Sequence, residues 1–441
     1  MPSAFPLPAF PLQVSENHRF LVDAQGAPFF YLGDTAWELF HRLDREDAET
    51  YLQNRANKGF TVIQAVALAE FDGLRVPNAY GVVPLEDDDP ARPVEAYFQH
   101  VDWIVKRAGE LGLVTGLLPT WGDKWNKRWG QGPEIFTPEN ARQYGEYLGR
   151  RYRDAPIIWI LGGDRPIDHD GHRDIIDAMA AGIGAGTGGT QLITYHNCGS
   201  RGSSDSFHDA PWLDFNTYQS GHDYNRANYR RMAADYALEP AKPCMDAEPG
   251  YEDHPANFKV ETGYLDDYDV RKFAYWAVFA GAHGHTYGCH DMWQFHDSAR
   301  FTPVNHPRTP WRQAMDLPGA RQVGYLRRLM LSRPYLSRLP APELILSEAG
   351  EGGDHIEATR DSQGAYAFVY LPKGGAVTLA TRELAGEQLR VTWLNPRSGE
   401  AEAKAEKIAR AATGEQTFTA PTAGEREDWV LILDVENTLA P

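Results

Sequence analysis

The amino-acid sequence predicts an α/β protein, a (β/α)8 barrel followed by a small all-β sandwich domain. Short apolar runs alternate with amphipathic stretches from residue 28 to about residue 332. They make eight β–α units, which fit a closed parallel barrel better than an open doubly wound sheet. After residues 340–342 the pattern changes to short alternating runs separated by glycines and charges, which is typical of an antiparallel β domain.

The predicted barrel strands are nearly continuous apolar runs, as strands buried on both faces should be. They span Pro28–Gly33, Thr61–Leu68, Val114–Trp121, Ile157–Leu161, Leu192–Asn197, Asp214–Tyr218, Lys242–Glu248 and His285–Gly288. Helix signals lie between them: Asp44 is a predicted N-cap, and Thr137 with Pro138 supplies a cap and a first-turn proline. No G-x-G-x-x-G segment follows the first strand, which argues against a dinucleotide-binding fold.

The chain is predicted to divide into three parts. Residues 1–27 form an N-terminal extension, with a hairpin expected around Asn17–Asp23 that either closes the barrel floor or packs on the β domain. Residues 28–338 form the barrel and residues 343–441 the sandwich. The predicted sandwich strands are Ala365–Leu371, Ala376–Ala380, Leu389–Leu394 and Trp429–Val435.

Composition limits the partners and the compartment. Lysine plus arginine total 43 against 61 aspartate plus glutamate, a net charge of −18, whereas nucleic acids and anionic membranes need a basic footprint. We therefore expect neither nucleic acid nor membrane as a partner. No apolar run approaches the ~20 residues that span a bilayer. The N-terminus lacks the basic region of a signal peptide, and three cysteines make no disulfide framework. The cytoplasm is favoured, with the periplasm or secretion as the alternative if a leader was removed, and the oligomeric state is left open.

The candidate binding residues follow from the fold, because the active site of such a barrel lies at the C-terminal ends of its strands. Each predicted strand end carries polar, charged or aromatic residues, and aromatic residues make up 12% of the chain. Aromatic rings beside polar groups suit sugars, which combine apolar C–H faces with hydroxyl groups. We therefore expect a small carbohydrate substrate. Its candidate ligands are Asp34, Trp37, Glu70, Trp121, Lys124, Trp125, His196, Tyr218, His222, Tyr287, His290 and Trp293.

Two carboxylates are the predicted catalytic pair, because cleavage of a glycosidic bond needs an acid and a second carboxyl group that attacks or activates water. Asp164 ends strand four after two glycines, which allow a sharp turn, and Glu248 ends strand seven. An acid that works near pH 7 needs a raised pKa. Since the charge of Arg165 would lower the pKa of Asp164, we expect Arg165 to point away from it.

Several motifs resemble the apiosidase-like barrel family, which contains glycoside hydrolase family 140. The resemblance runs from about residue 17 to residue 335 and is carried by Tyr31–Trp37, Trp159–Asp164, Asp246–Glu252 and His285–Trp293. The segment Thr392–Glu400 resembles the collagen-binding-type β domain often attached to this family.

The resemblance implies a glycosidase in which Asp164 is the general acid/base and Glu248 the nucleophile. The wider clan of retaining barrel glycosidases has Asn-Glu at the end of strand four, where this chain has Gly163-Asp164, as the apiosidase-like proteins do. We expect a retaining, exo-acting enzyme of plant-type oligosaccharides or glycosides. Retention requires carboxyl groups about 5–5.5 Å apart, against about 6.5–9.5 Å for inversion.

Two other functions are weighed against this one. A metal-dependent barrel hydrolase would use the histidines around Cys289, namely His283, His285, His290 and His296, or the segment Asp168–His172. These spacings match no metal-barrel pattern, and a catalytic zinc site needs three convergent ligands, so we expect neither metal nor cofactor. A non-catalytic carbohydrate-binding protein is the second alternative.

Overall fold

Eight parallel strands form a nearly closed barrel in the computed structural model, which describes residues 8–402 and 405–436. They are β1 (Tyr31–Thr35), β2 (Val62–Leu68), β3 (Val114–Thr120), β4 (Ile157–Gly162), β5 (Ile193–His196), β6 (Asn216–Tyr218), β7 (Cys244–Asp246) and β8 (Gly284–Tyr287). Hydrogen bonding joins them in the order β5-β4-β3-β2-β1-β8-β7-β6, which confirms the predicted barrel.

Side chains bridge the remaining gap between β5 and β6. The backbone N–H of Ile193 donates to Oδ2 of Asp214 at 2.7 Å, and Oγ1 of Thr194 donates to the carbonyl of Phe215 at 2.7 Å. Oγ1 of Thr217 donates back to a carbonyl of β5 at 2.5 Å. A backbone hydrogen bond from the N–H of Asp214 to the carbonyl of Ile193 at 2.9 Å also spans this gap, and together these contacts satisfy groups that burial would otherwise leave unpaired.

Seven longer helices surround the barrel in the described part of the chain, and two of them begin at the predicted capping signals. Asp44 accepts from the backbone N–H of Asp47 at 2.9 Å, and Thr137 forms a capping box with Asn140. The helices are α1 (Arg45–Lys58), α2 (Glu95–Glu110), α3 (Pro138–Arg151), α4 (Asp170–Thr187), α5 (Asn228–Tyr236), α6 (Asp267–Phe279) and α7 (Pro318–Leu331). Short helical segments cover Leu39–Arg42, Ser204–Phe207, His290–Trp293 and Trp311–Ala314. None of the helices in the described part of the chain combines the length and apolarity needed to cross a bilayer.

The C-terminal domain is built from two antiparallel sheets that enclose a small apolar core. Its strands are β9 (Arg338–Pro340), β10 (Glu357–Asp361), β11 (Tyr366–Leu371), β12 (Gly374–Leu379), β13 (Gln388–Asn395), β14 (Glu400–Ala401), β15 (Glu406–Ala409), β16 (Gln416–Ala423) and β17 (Trp429–Val435). Strands β12 and β16 make the second sheet, and the other strands make the first. This arrangement confirms the predicted all-β domain.

Strand β11 joins the two domains because its side chains alternate between two cores. Ala367, Val369 and Leu371 lie in the core of the β domain. The alternate aromatic residues join the core of the barrel, and the ring of Tyr370 stacks on that of Tyr275 in α6 at 4.8 Å. The β domain is therefore packed on the barrel through a buried aromatic face.

The N-terminal segment forms a three-stranded antiparallel sheet of Gln13–Val14, Leu21–Val22 and Pro28–Phe29. The prediction that Pro28–Phe29 starts the first barrel strand is therefore wrong, because this pair belongs to the N-terminal sheet and the barrel strand begins at Tyr31. The ring of Phe20 lies 4.7 Å from that of Tyr335, whose hydroxyl donates to the carbonyl of His283 just before β8. This contact places the sheet at the N-terminal end of the barrel. Residues 1–7 of the expected extension, and 403–404 and 437–441 of the expected sandwich, lie outside the described residues.

Candidate active site

A cavity of about 620 Å³ opens at the C-terminal ends of the barrel strands, and the segments after all eight strands contribute to its lining. Seven residues predicted from the sequence line it: Trp37, Glu70, Trp121, Asp164, His222, Glu248 and Trp293. The fold thus brings together both predicted catalytic carboxylates and most of the predicted aromatic platforms.

Asp164 is placed by a sharp turn at the end of β4. Gly162, Gly163 and Asp164 have φ of 95°, 94° and 59°, so three successive residues are in left-handed conformations. A Cβ on Gly162 would lie 2.3 Å from the carbonyl of His196, so no other residue fits there. A non-glycine residue with positive φ is strained, and such strain is common at functional sites.

The environment of Asp164 favours its neutral form. Its side chain is 23% exposed, and Nη1 of Arg165 lies 3.0 Å from its Oδ2. Burial, and after it the negative charge of Glu248, raise the pKa of Asp164 to about 6, although Arg165 and His196 act in the opposite direction. Asp164 is therefore suited to hold a proton in mildly acidic solution.

The orientation of Arg165 differs from the expectation that it points away from Asp164. Its guanidinium is buried and donates both to the carboxylate of Asp164 and to the carbonyl of the same residue, at 3.0 and 2.7 Å. A buried guanidinium needs acceptors, and the turned backbone at Asp164 brings two of them within reach. Burial outweighs this ion pair, so the pKa of Asp164 stays above its ordinary value.

Glu248 has the opposite environment, directly after β7. Nε2 of His196 lies 2.7 Å from its Oε2, and Nε2 of His222 lies 3.5 Å from its Oε1. Burial raises the pKa of Glu248, but the two histidines outweigh burial and hold it well below its usual range. The carboxylate is therefore favoured in its ionised form, with a histidine nitrogen near each oxygen.

Further side chains around the pair are electrostatically linked to it. The rings of Tyr251 and His254 lie 4.3 and 4.2 Å from that of His222. Burial and the charge of Glu248 raise the pKa of Tyr251 well above its usual value. Burial and the charge of Asp164 raise the pKa of Glu70 to about 8, so its carboxyl group is a hydrogen-bond donor at neutral pH.

Three of the predicted ligands lie behind the cavity wall near β1, β6 and β8. Asp34 is fully buried and accepts from Nε of Arg55 at 2.7 Å. The hydroxyl of Tyr287 donates to Glu252 at 2.5 Å. The ring of Tyr218 lies under a guanidinium of α5 at 5.3 Å. These residues stabilise the strand ends on which the cavity is built.

Lys124, Trp125 and His290 also lie outside the cavity lining, in supporting positions. Nζ of Lys124 is buried 2.7 Å from Asp123, and the indole N–H of Trp125 donates to the carbonyl of Gly162 at 3.0 Å. Nδ1 of His290 accepts from the indole N–H of Trp293, which lines the cavity, at 3.2 Å. Nε2 of the same ring lies 2.8 Å from the carbonyl oxygen of Asn305. Each side chain therefore contacts a residue or turn that shapes the site.

Sequence reasoning did not select Trp129, His254 or Phe258, which also line the cavity. Trp129 lies beyond the end of β3 and Phe258 well beyond β7, in long loops without a periodic pattern. Composition alone could have indicated Trp129, because the segment from Trp121 to Trp129 contains three tryptophans within nine residues.

The histidines considered as metal ligands are used in other ways. His283 and His285 are buried in β8 or just before it, and burial lowers the pKa of each to about 3. Within residues 8–402 and 405–436 no group of three His, Cys, Asp or Glu side chains is arranged to hold a metal ion. Cys198, Cys244 and Cys289 are buried free thiols.

Comparison with known proteins agrees with this fold. Residues 15–337 match the family model described as "Apiosidase-like, catalytic domain". Residues 339–434 match the model "Putative collagen-binding domain of a collagenase". No curated protein matches the chain.

Two solved structures similar to this chain are described as glycoside hydrolases. One described as a glycoside hydrolase is 32% identical, with 97% of each chain covered and a TM-score of 0.88. A family 5 glycoside hydrolase from Bacteroides vulgatus is 30% identical, with 97% of this chain and 94% of that chain covered and a TM-score of 0.89. The chain therefore belongs to the apiosidase-like family of glycoside hydrolases.

Proposed function

We propose that this protein is a retaining, exo-acting glycosidase in which Asp164 is the general acid/base and Glu248 the nucleophile. One observation carries the proposal: two carboxyl groups with opposite pKa shifts line the same cavity. Two titratable groups whose surroundings separate their pKa values in this way suit one acid role and one nucleophile role.

The proposed reaction has two steps. In the first, protonated Asp164 donates its proton to the glycosidic oxygen while Glu248 attacks the anomeric carbon, so the leaving group departs as an alcohol. In the second, Asp164 takes a proton from water, whose oxygen attacks the same carbon and releases Glu248. The histidines beside Glu248 keep it ionised for attack, and the charge of Glu248 keeps a proton on Asp164.

The proposed substrates are plant-type oligosaccharides or glycosides with a terminal sugar that the cavity can enclose. Apiosides are the first candidates because the family model is apiosidase-like. Trp37 and Trp121, whose rings lie 5.3 Å apart and line the cavity, offer aromatic surface beside the catalytic pair. The cytoplasm is the proposed compartment, which favours short oligosaccharides over intact polymers.

An activity screen tests this function. Aryl glycosides and plant oligosaccharides, apiosides first, are incubated with the wild-type protein and with the variants Asp164→Asn and Glu248→Gln. We expect turnover that either substitution removes, and NMR of the first-formed sugar should show the anomer of the substrate. Turnover that survives in Glu248→Gln would refute the proposed nucleophile, and an inverted first product would refute retention.

A further inference from the structure

Trp129 is an exposed aromatic residue at the edge of the catalytic cavity. Its side chain is 56% exposed, whereas Trp37, Trp121 and Trp293 in the same cavity are no more than 8% exposed. Because this exposed ring lines the cavity, it offers an apolar face on which a ligand can stack.

The loop that carries Trp129 is held by polar contacts and not by burial of the ring. The backbone N–H of Gly132 donates to the buried carboxylate of Asp123 at 2.9 Å. Arg128 and Asn126, on the other side, both donate to Asp168, at 2.9 and 3.0 Å. These contacts tie the loop to the segment after β4 and so set the ring relative to the catalytic acid.

A close backbone approach next to Trp129 and two neighbouring guanidinium groups help to fix the position of its ring. A Cβ on Gly130 would lie 2.3 Å from the Cβ of Asp123, so the chain can make this close approach only with glycine. The guanidinium groups of Arg165 and Arg128 lie 4.8 and 5.3 Å from the ring centroid of Trp129. Despite these two contacts, Trp129 remains 56% exposed to solvent.

The position of Trp129 next to Asp164 indicates which part of a substrate it contacts. Its indole Nε1 lies 3.4 Å from Oδ2 of Asp164. In glycoside cleavage the acid protonates the oxygen of the leaving group, so groups beside the acid contact the leaving group and not the terminal sugar. The polar side chains of Gln131, Ser200 and Arg226 also line this cavity and can bind hydroxyl groups.

We propose that Trp129 is the platform for a sugar ring in the leaving-group position, so the substrate is at least a disaccharide. The proposal rests on the proposed function, because it takes Asp164 as the acid. The apolar face of the ring stacks on the indole, and polar groups such as Gln131 bind its hydroxyls. The indole N–H also contacts the carboxylate and lowers the pKa of Asp164.

The test compares three substrates of whichever sugar gives the highest turnover in the screen: a disaccharide, the 4-nitrophenyl glycoside and the glycosyl fluoride. The fluoride has no ring in the leaving-group position. The variants are Trp129→Ala, Trp129→Phe and Gln131→Ala. Tyr80→Ala is the matched control, because Tyr80 is 50% exposed and does not line the cavity.

We expect Trp129→Ala to lower kcat/KM for the disaccharide at least about tenfold more than for the fluoride, because the fluoride has no leaving-group ring that could stack on the indole. Trp129→Phe should keep most of the wild-type kcat/KM for the disaccharide, because its ring can still stack on the sugar. It should also move the alkaline limb of the pH profile upward, because it keeps a ring but removes the N–H that lowers the pKa of Asp164. Gln131→Ala should lower kcat/KM for the disaccharide more than for the aryl glycoside.

Equal losses on all three substrates in Trp129→Ala would overturn the proposal. A loss confined to the aryl glycoside would also overturn it, in favour of an aromatic leaving group. Cleavage of no glycoside by the wild-type protein would instead refute the proposed function itself, so the two failures are distinguishable.

Discussion

Nε2 of His196 lies 2.7 Å from Oε2 of Glu248, and this contact links the end of β5 to the segment after β7. With His222 it outweighs the effect of burial and keeps Glu248 ionised. The resulting negative charge is in turn one of the two main causes of the raised pKa of Asp164. The two carboxyl groups are therefore adapted to different roles by one set of interactions.

Substitution of Asp164 tests the acid role through the pH profile. A general acid must be protonated, so kcat/KM of the wild-type protein should fall on the alkaline side with an apparent pKa of about 6. Asp164→Asn should lose that limb and about 10²–10⁴-fold in activity on substrates with poor leaving groups. The activity of this variant on activated aryl glycosides should fall less, because their leaving groups need less protonation. Asp209→Asn, an exposed control outside the cavity, should keep the profile, and an alkaline limb that persists in Asp164→Asn would contradict the assignment.

Replacement of His196 should move the other side of the profile. Because His196 lowers the pKa of Glu248, the variant His196→Asn should raise that pKa and shift the acidic limb of kcat/KM to higher pH. Activity at neutral pH should fall about tenfold through lost orientation of the carboxylate. The exposed His169, replaced in the same way, provides the control. If the acidic limb stays in place, His196 does not set the ionisation of Glu248.

Glu70 should make the stability of the protein depend on pH. Its pKa is raised to about 8 when folded, against about 4.3 in an unfolded chain, so the folded state retains a proton that the unfolded state releases. The stabilisation from this proton is complete below pH 4.3 and is lost as pH rises through 8. Glu70→Gln should therefore become more stable relative to the wild type as pH rises from 5 to 8.5. Urea unfolding at both pH values measures the free energy of unfolding of the variant and of the wild type. If the difference between the two proteins does not change with pH, the raised pKa of Glu70 is refuted.

The interface between the two domains contains a buried ion pair whose loss should be costly. Nε of Arg271 in α6 donates to Oδ2 of Asp428 at 3.0 Å, and the two side chains are 2% and 0% exposed. Asp428→Ala leaves a buried guanidinium with fewer acceptors and should lower the free energy of unfolding by about 3 kcal/mol. Arg426→Ala, which breaks an exposed pair with Asp266, should cost no more than about 1 kcal/mol. Equal losses in urea unfolding would contradict the importance of the buried pair.

The barrel and the β domain could be predicted from the sequence because burial determines their patterns. Strands such as Ile157–Gly162 are covered on both faces and are apolar throughout, and the cap at Asp44 is a local signal. In the β domain, β13 partly alternates between buried and exposed residues, whereas β17 is a short apolar run that is buried throughout.

Details of the site depend on long-range geometry that no local pattern encodes. The side chain of Arg165 turns toward Asp164, where the left-handed backbone brings a carbonyl and a carboxylate oxygen within reach of the guanidinium. Trp129 and Phe258 reach the cavity from long loops, whose direction depends on contacts with distant segments. Residues at a strand end such as Asp34 can point to either side of the wall, so position in sequence alone does not place them in the cavity.

Covalent trapping of the proposed nucleophile tests the central claim most directly. A 2-deoxy-2-fluoro glycoside of the cleaved sugar, with an activated leaving group, should form a slowly hydrolysed glycosyl-enzyme. Mass spectrometry of the digested protein should find the added sugar on the peptide that contains Glu248. The variant Glu248→Gln should show no adduct and should lose about 10⁴-fold or more in kcat. An adduct on another carboxylate, or continued turnover by Glu248→Gln, would contradict the assignment of Asp164 and Glu248.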